Sequence, residues 1–283
     1  MRAKEGTKTL RNAMSVDVED YFQVSAFAPH IARADWERLP CRVERNVDLI
    51  LRLLDESGAK ATFFTLGWIA ERHPTMVRRI ADHGHEVASH GYGHERASDL
   101  SPERFREDIT RAKKLLEDLC GTEVRGYRAP SFSISRRNWW AVDEIRAAGY
   151  RYSSSIYPVK HDHYGMPEAP RFPYRLHDML WELPPTTVPL LGRNWPAAGG
   201  GWFRLLPYGV SRWLLHQVND KEQAPCMFYF HPWEVDPGQP RQSGVSLKTR
   251  FRHYVNLGCM EARLRRLLRD FAWDRVDRVF LHD

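Results

Sequence analysis

Three carboxylates stand within four positions at the end of a short apolar stretch. In SVDVEDYF these are Asp17, Glu19 and Asp20. Crowding raises the free energy of the ionised carboxylates unless a cation or a proton relieves the repulsion. A solvent-exposed acidic turn could have the same sequence. The preceding strand-like residues instead favour a site for a cation or for proton transfer.

Histidines are concentrated in the segment GHEVASHGYGH, which contains His85, His90 and His94. Neutral imidazoles four residues apart can bind one metal ion from a single turn. Gly91 and Gly93 would each cost a helix about 1 kcal/mol, so we expect a tight loop here. Surface histidines at this spacing are common, but two histidines and one carboxylate form a metal site with open positions. Together with the acidic cluster, they predict a shared metal ion.

Two further segments place basic residues at the ends of predicted strands. Arg128 lies in GYRAPSF, and His231 follows three aromatic residues in FYFHPWE. Each has a structural alternative, namely an arginine paired with a core carboxylate or a histidine that caps a strand. Active sites of α/β proteins form at the carboxyl ends of their strands. The four segments together therefore predict a set of catalytic groups for hydrolysis.

The elements that must position these residues alternate between strands and helices. Apolar spacing predicts a helix from about Arg42 to Ser57, ended by Gly58, followed by the buried strand ATFFTLG. The alternation continues through the strand HEVASH, a helix that starts at Ser101 and ends at Gly121, and a helix in NWWAVDEIRAAG. Such units form an open doubly wound sheet or a closed barrel, and periodicity does not separate the two.

The chain is expected to form a single domain over residues 1–283, with residues 1–12 flexible. Residues 158–224 are rich in Pro and Gly, which predicts loops and short edge strands. Residues 245–283 are expected to form a helical C-terminal extension with one apolar side. The apolar content of 42% is sufficient for a full-size core and excludes disorder as a description of the whole chain.

Composition limits the other classes of function. The net charge of +6 is spread along the chain, so we expect no nucleic-acid partner. Four separated cysteines without a CxxC pair do not form a zinc-ribbon or small disulfide pattern. No apolar stretch of signal-peptide length follows the first thirteen residues, and no run approaches a membrane span. We therefore expect a soluble cytoplasmic protein without a transmembrane segment.

The order and content of these motifs resemble the polysaccharide deacetylase family, also called NodB-homology or carbohydrate esterase family 4 enzymes. KATFFTLG resembles the family's second strand, GHEVASHGYGH its histidine motif, YRAPSF its arginine motif and FYFHPWE its late histidine motif. DVEDYF and HYVNL more specifically resemble a subgroup found with bacterial exopolysaccharide biosynthesis genes. The resemblance implies an α/β fold, a distorted (β/α) barrel with a loop-rich insertion and a C-terminal helix.

The same resemblance implies metal-dependent removal of N-acetyl groups from N-acetylhexosamine units of a bacterial polysaccharide or its precursor. A cytoplasmic enzyme of this kind must act on precursors or associate with a polysaccharide assembly system. One alternative is a cyclic amide hydrolase of the same fold, similar to allantoinase. Another is a catalytically silent carbohydrate-binding protein, because two motifs of this chain depart from the family pattern.

The first departure concerns the metal. By resemblance, a divalent ion, expected to be Zn²⁺, is held by Asp20, His90 and His94, and Asp17 is the base. The family has two adjacent aspartates at this point, whereas two residues separate them here. Glu19 is therefore the rival for either role.

The resemblance assigns the remaining roles as follows. His231 protonates the departing amine, and Arg128 keeps Asp17 ionised and aimed. A backbone N–H near Ser131 stabilises the oxyanion. Trp233 is either a platform for the sugar or a core residue.

The second departure lies in YRYSSSIYP, where many relatives have an aspartate that orients the late histidine. This chain offers only serines there. A catalytic histidine needs its second ring nitrogen held. Glu182 and Glu234 are the carboxylates that we expect to hold His231.

Overall fold

A computed structural model of the chain describes residues 10–161 and 164–281. Residues 1–9, most of the segment expected to be flexible, lie outside the described residues, whereas Arg11 already belongs to the first strand. The strands are β1 (Arg11–Val18), β2 (Thr62–Thr65), β3 (Glu86–Ser89), β4 (Gly126–Tyr127), β5 (Tyr152–Ser153), β6 (Tyr174–His177), β7 (Leu180–Glu182), β8 (Thr187–Leu190), β9 (Arg193–Pro196), β10 (Met227–Phe230) and β11 (Ala272–Asp274). The α-helices are α1 (Val43–Ser57), α2 (Gly67–Arg72), α3 (Pro74–Asp82), α4 (Pro102–Cys120), α5 (Trp140–Ala147), α6 (Gly200–Leu205), α7 (Tyr208–His216), α8 (Leu247–Tyr254), α9 (Leu257–Asp270) and α10 (Val276–Phe280).

Parallel strands form the central sheet, in the order β10-β1-β2-β3-β4-β5-β7-β6, and β11 pairs with the start of β1. β6 is antiparallel to β7 and forms one edge. Within the described residues no strand pairing joins β6 to β10, so the curled sheet is a half-barrel rather than a closed barrel. This agrees with the distorted barrel that was expected. Helices α1, α3, α4 and α5 follow their strands as the alternation predicts.

The helix boundaries follow local signals. Helix α1 ends at Gly58, whose φ of 67° lies in the left-handed region that glycine adopts without strain. At the start of α4, the Ser101 side chain accepts a hydrogen bond from the Arg104 N–H, and Gly121 ends the helix with a φ of 68°. Both helices therefore begin and end within a residue of the predicted positions.

The segment 158–224 contains more regular structure than its Pro and Gly content suggested. It includes the edge strand β6, the two-stranded β8-β9 sheet and the helices α6 and α7. The C-terminal extension is also not purely helical, because β11 lies between α9 and α10 and pairs with β1. A segment of three residues is too short to show strand periodicity, so its pairing with β1 in the folded chain decides that it is a strand.

The core lies between the sheet and its helices. β1 is buried from Asn12 to Val18, and the apolar sides of α1, α4 and α9 pack into the largest buried cluster. Among the described residues, no helix is both long and apolar enough to cross a lipid bilayer.

The register of the sheet brings the predicted motifs to one level. Val18 of β1 pairs with Thr65, Thr65 with Ser89, and Ser89 with Tyr127. Phe230 at the end of β10 pairs with Val16. The residues that follow these strands are therefore neighbours along one edge of the sheet.

Candidate active site

A cleft of about 520 Å³ opens over the carboxyl ends of the strands. Its lining includes residues from all four sequence motifs: Asp17, Glu19, His90, His94, Ser131, His231 and Trp233. Arg128 lies directly beneath, with no exposed surface. The structure therefore brings together all the predicted site residues except Asp20.

Asp20 faces away from the histidines. Its Oδ1 accepts a hydrogen bond from the Tyr21 N–H at 2.8 Å, and its Oδ2 accepts from the Val43 N–H at 2.9 Å and from the Arg42 N–H. These contacts cap a short helical turn and the first turn of α1. Both oxygens of the carboxylate are thus engaged by backbone N–H groups.

The candidate metal ligands are instead Glu19, His90 and His94, whose donor atoms all lie within 4.8 Å of one another. Glu19 and Asp17 both line the cleft, so both carboxylates face the same space. The assignment of Asp20 as the ligand is therefore corrected to Glu19, the rival that the sequence also offered.

The electrostatics of this group suit a cation. Burial alone would raise the pKa of Glu19, but His94 and His231 hold it well below its usual range, so the carboxyl is ionised. Burial lowers the pKa of His90 to about 4, which leaves the imidazole neutral at neutral pH. Nδ1 of His90 lies 2.8 Å from the Arg128 carbonyl oxygen, so Nδ1 donates and Nε2 is left as the ligand atom. An ionised carboxylate and a neutral imidazole are the forms in which these groups bind a metal.

The loop that carries His94 is held from helix α4. The Asp108 carboxylate accepts hydrogen bonds from the Tyr92 N–H at 2.8 Å and from the Gly93 N–H at 3.1 Å. Gly91 has a φ of 74° and His94 a φ of 55°, so the turn is tight, as the glycines predicted. The result is that Nε2 of His94 lies 2.6 Å from Oε2 of Glu19.

His85 does not belong to this group. It precedes β3 and therefore lies at the other end of that strand. Its Nδ1 accepts a hydrogen bond from the Ala61 N–H at 3.2 Å, and burial lowers its pKa to about 4. Its contacts are those of a core histidine.

The donor set fits a divalent metal ion. One carboxylate and two imidazoles are the ligands of a three-residue site with positions left for water or substrate. The same set would also suit other first-row divalent ions.

Arg128 holds Asp17 at the floor of the cleft. Its Nη1 lies 2.5 Å from Oδ1 of Asp17 and donates to the Ser15 hydroxyl at 2.9 Å, while Nη2 donates to the Ser154 hydroxyl at 2.9 Å. The guanidinium carbon lies 4.0 Å from the Phe64 ring centroid. Because an arginine donates in a rigid planar fork, these contacts fix the direction of the Asp17 carboxylate.

Glu182 supports the serine segment rather than His231. Its Oε1 accepts hydrogen bonds from the Ser155 N–H at 2.7 Å and the Ile156 N–H at 2.8 Å. Burial raises the pKa of Glu182 to about 7. Of the two carboxylates expected to orient His231, this one serves the backbone of the loop after β5.

Glu234 is the carboxylate at His231. Its Oε2 lies 3.4 Å from Nδ1 of the imidazole and accepts a hydrogen bond from the His231 N–H at 3.0 Å. Oε1 of Glu234 accepts from Nε of the buried Arg204 at 3.0 Å. The other ring nitrogen, Nε2, faces Glu19 at 3.4 Å and Asp17 at 3.9 Å. Burial lowers the pKa of His231, but Glu19 and Glu234 outweigh this and raise it to about 9.

Trp233 contacts the candidate ligand Glu19 and is almost fully covered by other side chains. Its Nε1 donates to Oε1 of Glu19 at 3.3 Å. The indole stacks on His231 and on His253, with ring centroids 5.2 and 4.2 Å away, and only 5% of the residue is exposed. Little of the ring is open to a sugar, which favours the core alternative for Trp233 over the sugar platform.

Other aromatic rings form a wall of the cleft. Phe132 packs against Tyr229 and Tyr164, with centroids 5.0 and 5.9 Å apart, and His161 stacks on Tyr164 at 4.0 Å. Ser131 lies at the base of this wall with a φ of 55°, and its hydroxyl is 2.6 Å from that of Ser25.

Sequence reasoning missed three residues that hold the site: Ser15, Asp108 and Arg204. Ser15 could have been found, because it lies two positions before Asp17 on the same face of β1. Asp108 and Arg204 carry no signal of this kind. They lie on helices distant in the sequence and reach the site only through the folded chain.

Comparison of the sequence with known proteins gives two adjoining matches. The sequence profile of the polysaccharide deacetylase family matches residues 36–153, and that of a domain of unknown function, DUF3473, matches residues 154–281. A chitooligosaccharide deacetylase of Azorhizobium caulinodans is 31% identical over 149 residues, which are 52% of this chain and 67% of that protein.

A peptidoglycan-N-acetylglucosamine deacetylase of Bacillus cereus is 33% identical over 96 residues, 34% of this chain and 35% of that protein. The match thus spans about a third of the Bacillus cereus relative. Among solved structures, one described as a polysaccharide deacetylase from Mycobacterium smegmatis superposes with a TM-score of 0.58 at 22% identity, covering 95% of this chain and 93% of that chain. At this identity the likeness concerns the fold alone.

Proposed function

The chain belongs to the polysaccharide deacetylase family, and on that premise we propose that it is a metal-dependent hydrolase that removes N-acetyl groups from N-acetylhexosamine units of a polysaccharide or its precursor. The observation that carries the proposal is that three kinds of group line one cleft. These are the donor set of Glu19, His90 and His94, the separate carboxylate of Asp17, and the imidazole of His231. Amide hydrolysis requires a polarised carbonyl, a base for the attacking water and an acid for the departing amine.

Glu19, His90 and His94 would hold the metal, which we expect to be Zn²⁺. When bound, such an ion polarises the acetamide carbonyl and lowers the pKa of water towards about 7. The chain's own contribution is to orient the donors. Trp233 holds one oxygen of Glu19, and the Arg128 carbonyl fixes the tautomer of His90.

Asp17 is the proposed base. Its Oδ1 is held by the buried guanidinium of Arg128, which leaves Oδ2 directed to the cleft side where His231 lies 3.9 Å away. Because Arg128 is itself held by Ser15 and Ser154, the carboxylate has one direction in which to accept the proton of the attacking water. A pre-oriented base does not have to reorganise as the proton moves.

His231 is the proposed acid, which protonates the nitrogen of the departing amine. Its raised pKa keeps the imidazolium populated near neutral pH. Glu234 holds Nδ1, so Nε2 faces the cleft and is the atom that releases the proton. Glu234 in turn stays ionised, because Arg204 and His231 outweigh the effect of burial and lower its pKa.

The substrate would lie along the aromatic wall. Sugar rings present flat apolar faces, and Phe132, Tyr164 and Tyr229 offer aromatic surface beside the donor set. A backbone N–H near Ser131 is the proposed second donor to the oxyanion, because this turn lines the cleft next to Ala129. An exopolysaccharide or its precursor, handled with a polysaccharide assembly system, is the substrate class that the sequence resemblance favours.

The test is acetate release from N-acetylglucosamine oligomers, with allantoin ring opening measured beside it. Protein stripped with a chelator should be inactive and should regain acetate release with Zn²⁺. His90→Ala should lose metal and activity, whereas His85→Ala, from the same motif but the other end of β3, should keep its metal. Ring opening of allantoin without acetate release would favour a cyclic amide hydrolase. Tight sugar binding without acetate at any metal loading would favour a silent binding protein.

A further inference from the structure

Helix α8 presents two large apolar side chains to solvent. Leu247 is 84% exposed and Phe251 is 56% exposed, although both are apolar. They are four residues apart, so they lie on the same side of the helix, one turn from each other. Scattered exposed apolar residues need no explanation, but a pair stacked along one helix forms a continuous apolar strip.

The same part of the chain is strongly basic. Residues 237–260, which we call the α8 segment, contain four basic residues and no Asp or Glu: Arg241, Lys248, Arg250 and Arg252. This segment of 24 residues therefore has a net charge of +4, against +6 for all 283 residues. All four basic residues are exposed. The apolar strip is thus surrounded by positive charge.

The inner side of α8 is firmly attached. The carbonyl oxygens of His253 and Val255 accept hydrogen bonds from Nη1 of Arg204 at 2.9 and 2.7 Å. His253 and Tyr254 are buried and pack on Phe27, with ring centroids 4.5 and 6.4 Å apart. The helix is therefore a fixed platform whose outer side is apolar and basic.

This platform borders the entrance of the cleft. Thr249 and Arg252 of α8 line the cleft together with Ala26 and Pro29 of the neighbouring loop. Ala26 and Pro29 are exposed and uncharged, and Gly244 lies close to His30 of that loop. The apolar strip, the basic residues and this loop thus form one rim.

We propose that the α8 segment docks the mouth of the cleft on a lipid bilayer that contains anionic headgroups. Leu247 and Phe251 would enter the boundary between headgroups and acyl chains, and the surrounding arginines and lysine would lie at the phosphates. The exposed apolar pair favours a bilayer over an acidic polysaccharide, which would satisfy the charges but leave the apolar strip in water. The inference goes beyond the proposed hydrolysis and does not depend on it, because docking requires no turnover.

The test is sedimentation of the purified chain with vesicles. We expect binding to vesicles of 70% phosphatidylcholine and 30% phosphatidylglycerol, and at least about tenfold weaker binding to pure phosphatidylcholine. Binding should also weaken when salt is raised from 0.1 to 0.5 M, because the Debye length falls. The Leu247→Ser/Phe251→Ser and Lys248→Glu/Arg250→Glu double variants should each bind at least about tenfold more weakly. Exposed positions change folding stability little, and circular dichroism checks this.

Matched controls use exposed residues elsewhere. Leu191→Asn/Met179→Ser removes equally exposed apolar residues, and Lys114→Glu/Arg146→Glu removes the same number of charges; both should bind like wild type. Failure of the wild type to bind either vesicle overturns the proposal, as does equal binding by the α8 variants. A dimer in analytical ultracentrifugation that dissociates in Leu247→Ser/Phe251→Ser would assign the strip to a second copy instead. Binding to a soluble acidic polysaccharide but not to vesicles would assign it to a glycan.

Discussion

The indole nitrogen of Trp233 lies 3.3 Å from Oε1 of Glu19, while the other carboxylate oxygen, Oε2, faces His94 at 2.6 Å. One oxygen is therefore held by a hydrogen-bond donor and the other is left for the donor set. A tryptophan from the end of β10 thus orients a carboxylate from the end of β1.

Trp233→Phe should weaken metal binding by about 10- to 100-fold, because it removes the N–H that orients Glu19 while keeping an aromatic ring in the stack. A chelator competition assay measures the dissociation constant. A raised KM for sugar oligomers with unchanged metal affinity would contradict this and restore the sugar-platform role.

Glu19→Gln should lose most of the bound metal, because an amide is a poorer ligand than an ionised carboxylate. Asp20→Asn should keep the metal but lower the free energy of unfolding by about 1 kcal/mol, because it weakens the caps of Tyr21 and α1. Elemental analysis and urea unfolding of both variants decide between them. Full metal content in Glu19→Gln together with loss in Asp20→Asn would reverse the assignment.

Asp17→Asn should retain the metal and the fold but lower kcat by on the order of 10²-fold or more, as expected when a positioned base is removed. The amide keeps the shape of the side chain, and its oxygen can still accept from Arg128. Acetate release is measured beside metal content. Loss of the metal in this variant would show that Asp17 is a ligand and not the base.

Glu234→Gln should move the basic limb of the pH–rate profile to lower pH by on the order of one unit. Glu234 raises the pKa of His231, and an acid is lost as the pH rises through its pKa. Glu182→Gln is the matched control, because this buried glutamate holds the backbone of Ser155 and Ile156. An identical shift in both variants would show that Glu234 has no specific effect on His231. A basic limb of the pH–rate profile that persists in His231→Ala would exclude that imidazole as the acid.

Glu86 should make the chain less stable as the pH rises from 5 to 8, and Glu86→Gln should remove that contribution. Burial and the neighbouring Asp277 raise the pKa of Glu86 from 4.5 to about 7. A carboxyl whose pKa is raised on folding stabilises fully below its unfolded pKa and ceases to do so as the pH passes its folded pKa. We expect a difference on the order of 1–3 kcal/mol between wild type and variant over this range. Urea unfolding with a chelator present measures it, and parallel pH dependences would refute it.

Much of the site could be predicted from the amino-acid sequence. The glycines around His90 and His94 require a tight loop, and the structure has one. The capping signals at Ser101 and Gly121 correctly bound α4. These features are decided by residues within a few positions of one another, so local chemistry is sufficient to predict them.

Other features were decided by contacts between distant parts of the chain. The sequence DVED leaves two carboxylates, Glu19 and Asp20, as possible metal ligands. Glu19 is preferred because its donor atoms lie near the histidines, whereas Asp20 is engaged by backbone N–H groups at the start of α1. Glu182 was also a candidate partner for His231, and only the fold shows that it holds the distant backbone of Ser155 and Ile156 instead.

The sequence by itself determined the alternation of strands and helices, the order of the motifs and the types of groups available for the chemistry, because these depend on periodicity and on residue identity. Only the tertiary structure decided which carboxylate meets the histidines, that Trp233 is a support and that Arg204 joins α8 to Glu234. The physical reason is that a metal site and a proton-transfer site depend on short distances between side chains, several of which come from distant parts of the sequence. Such distances are set by strand register and helix packing, which no local pattern encodes.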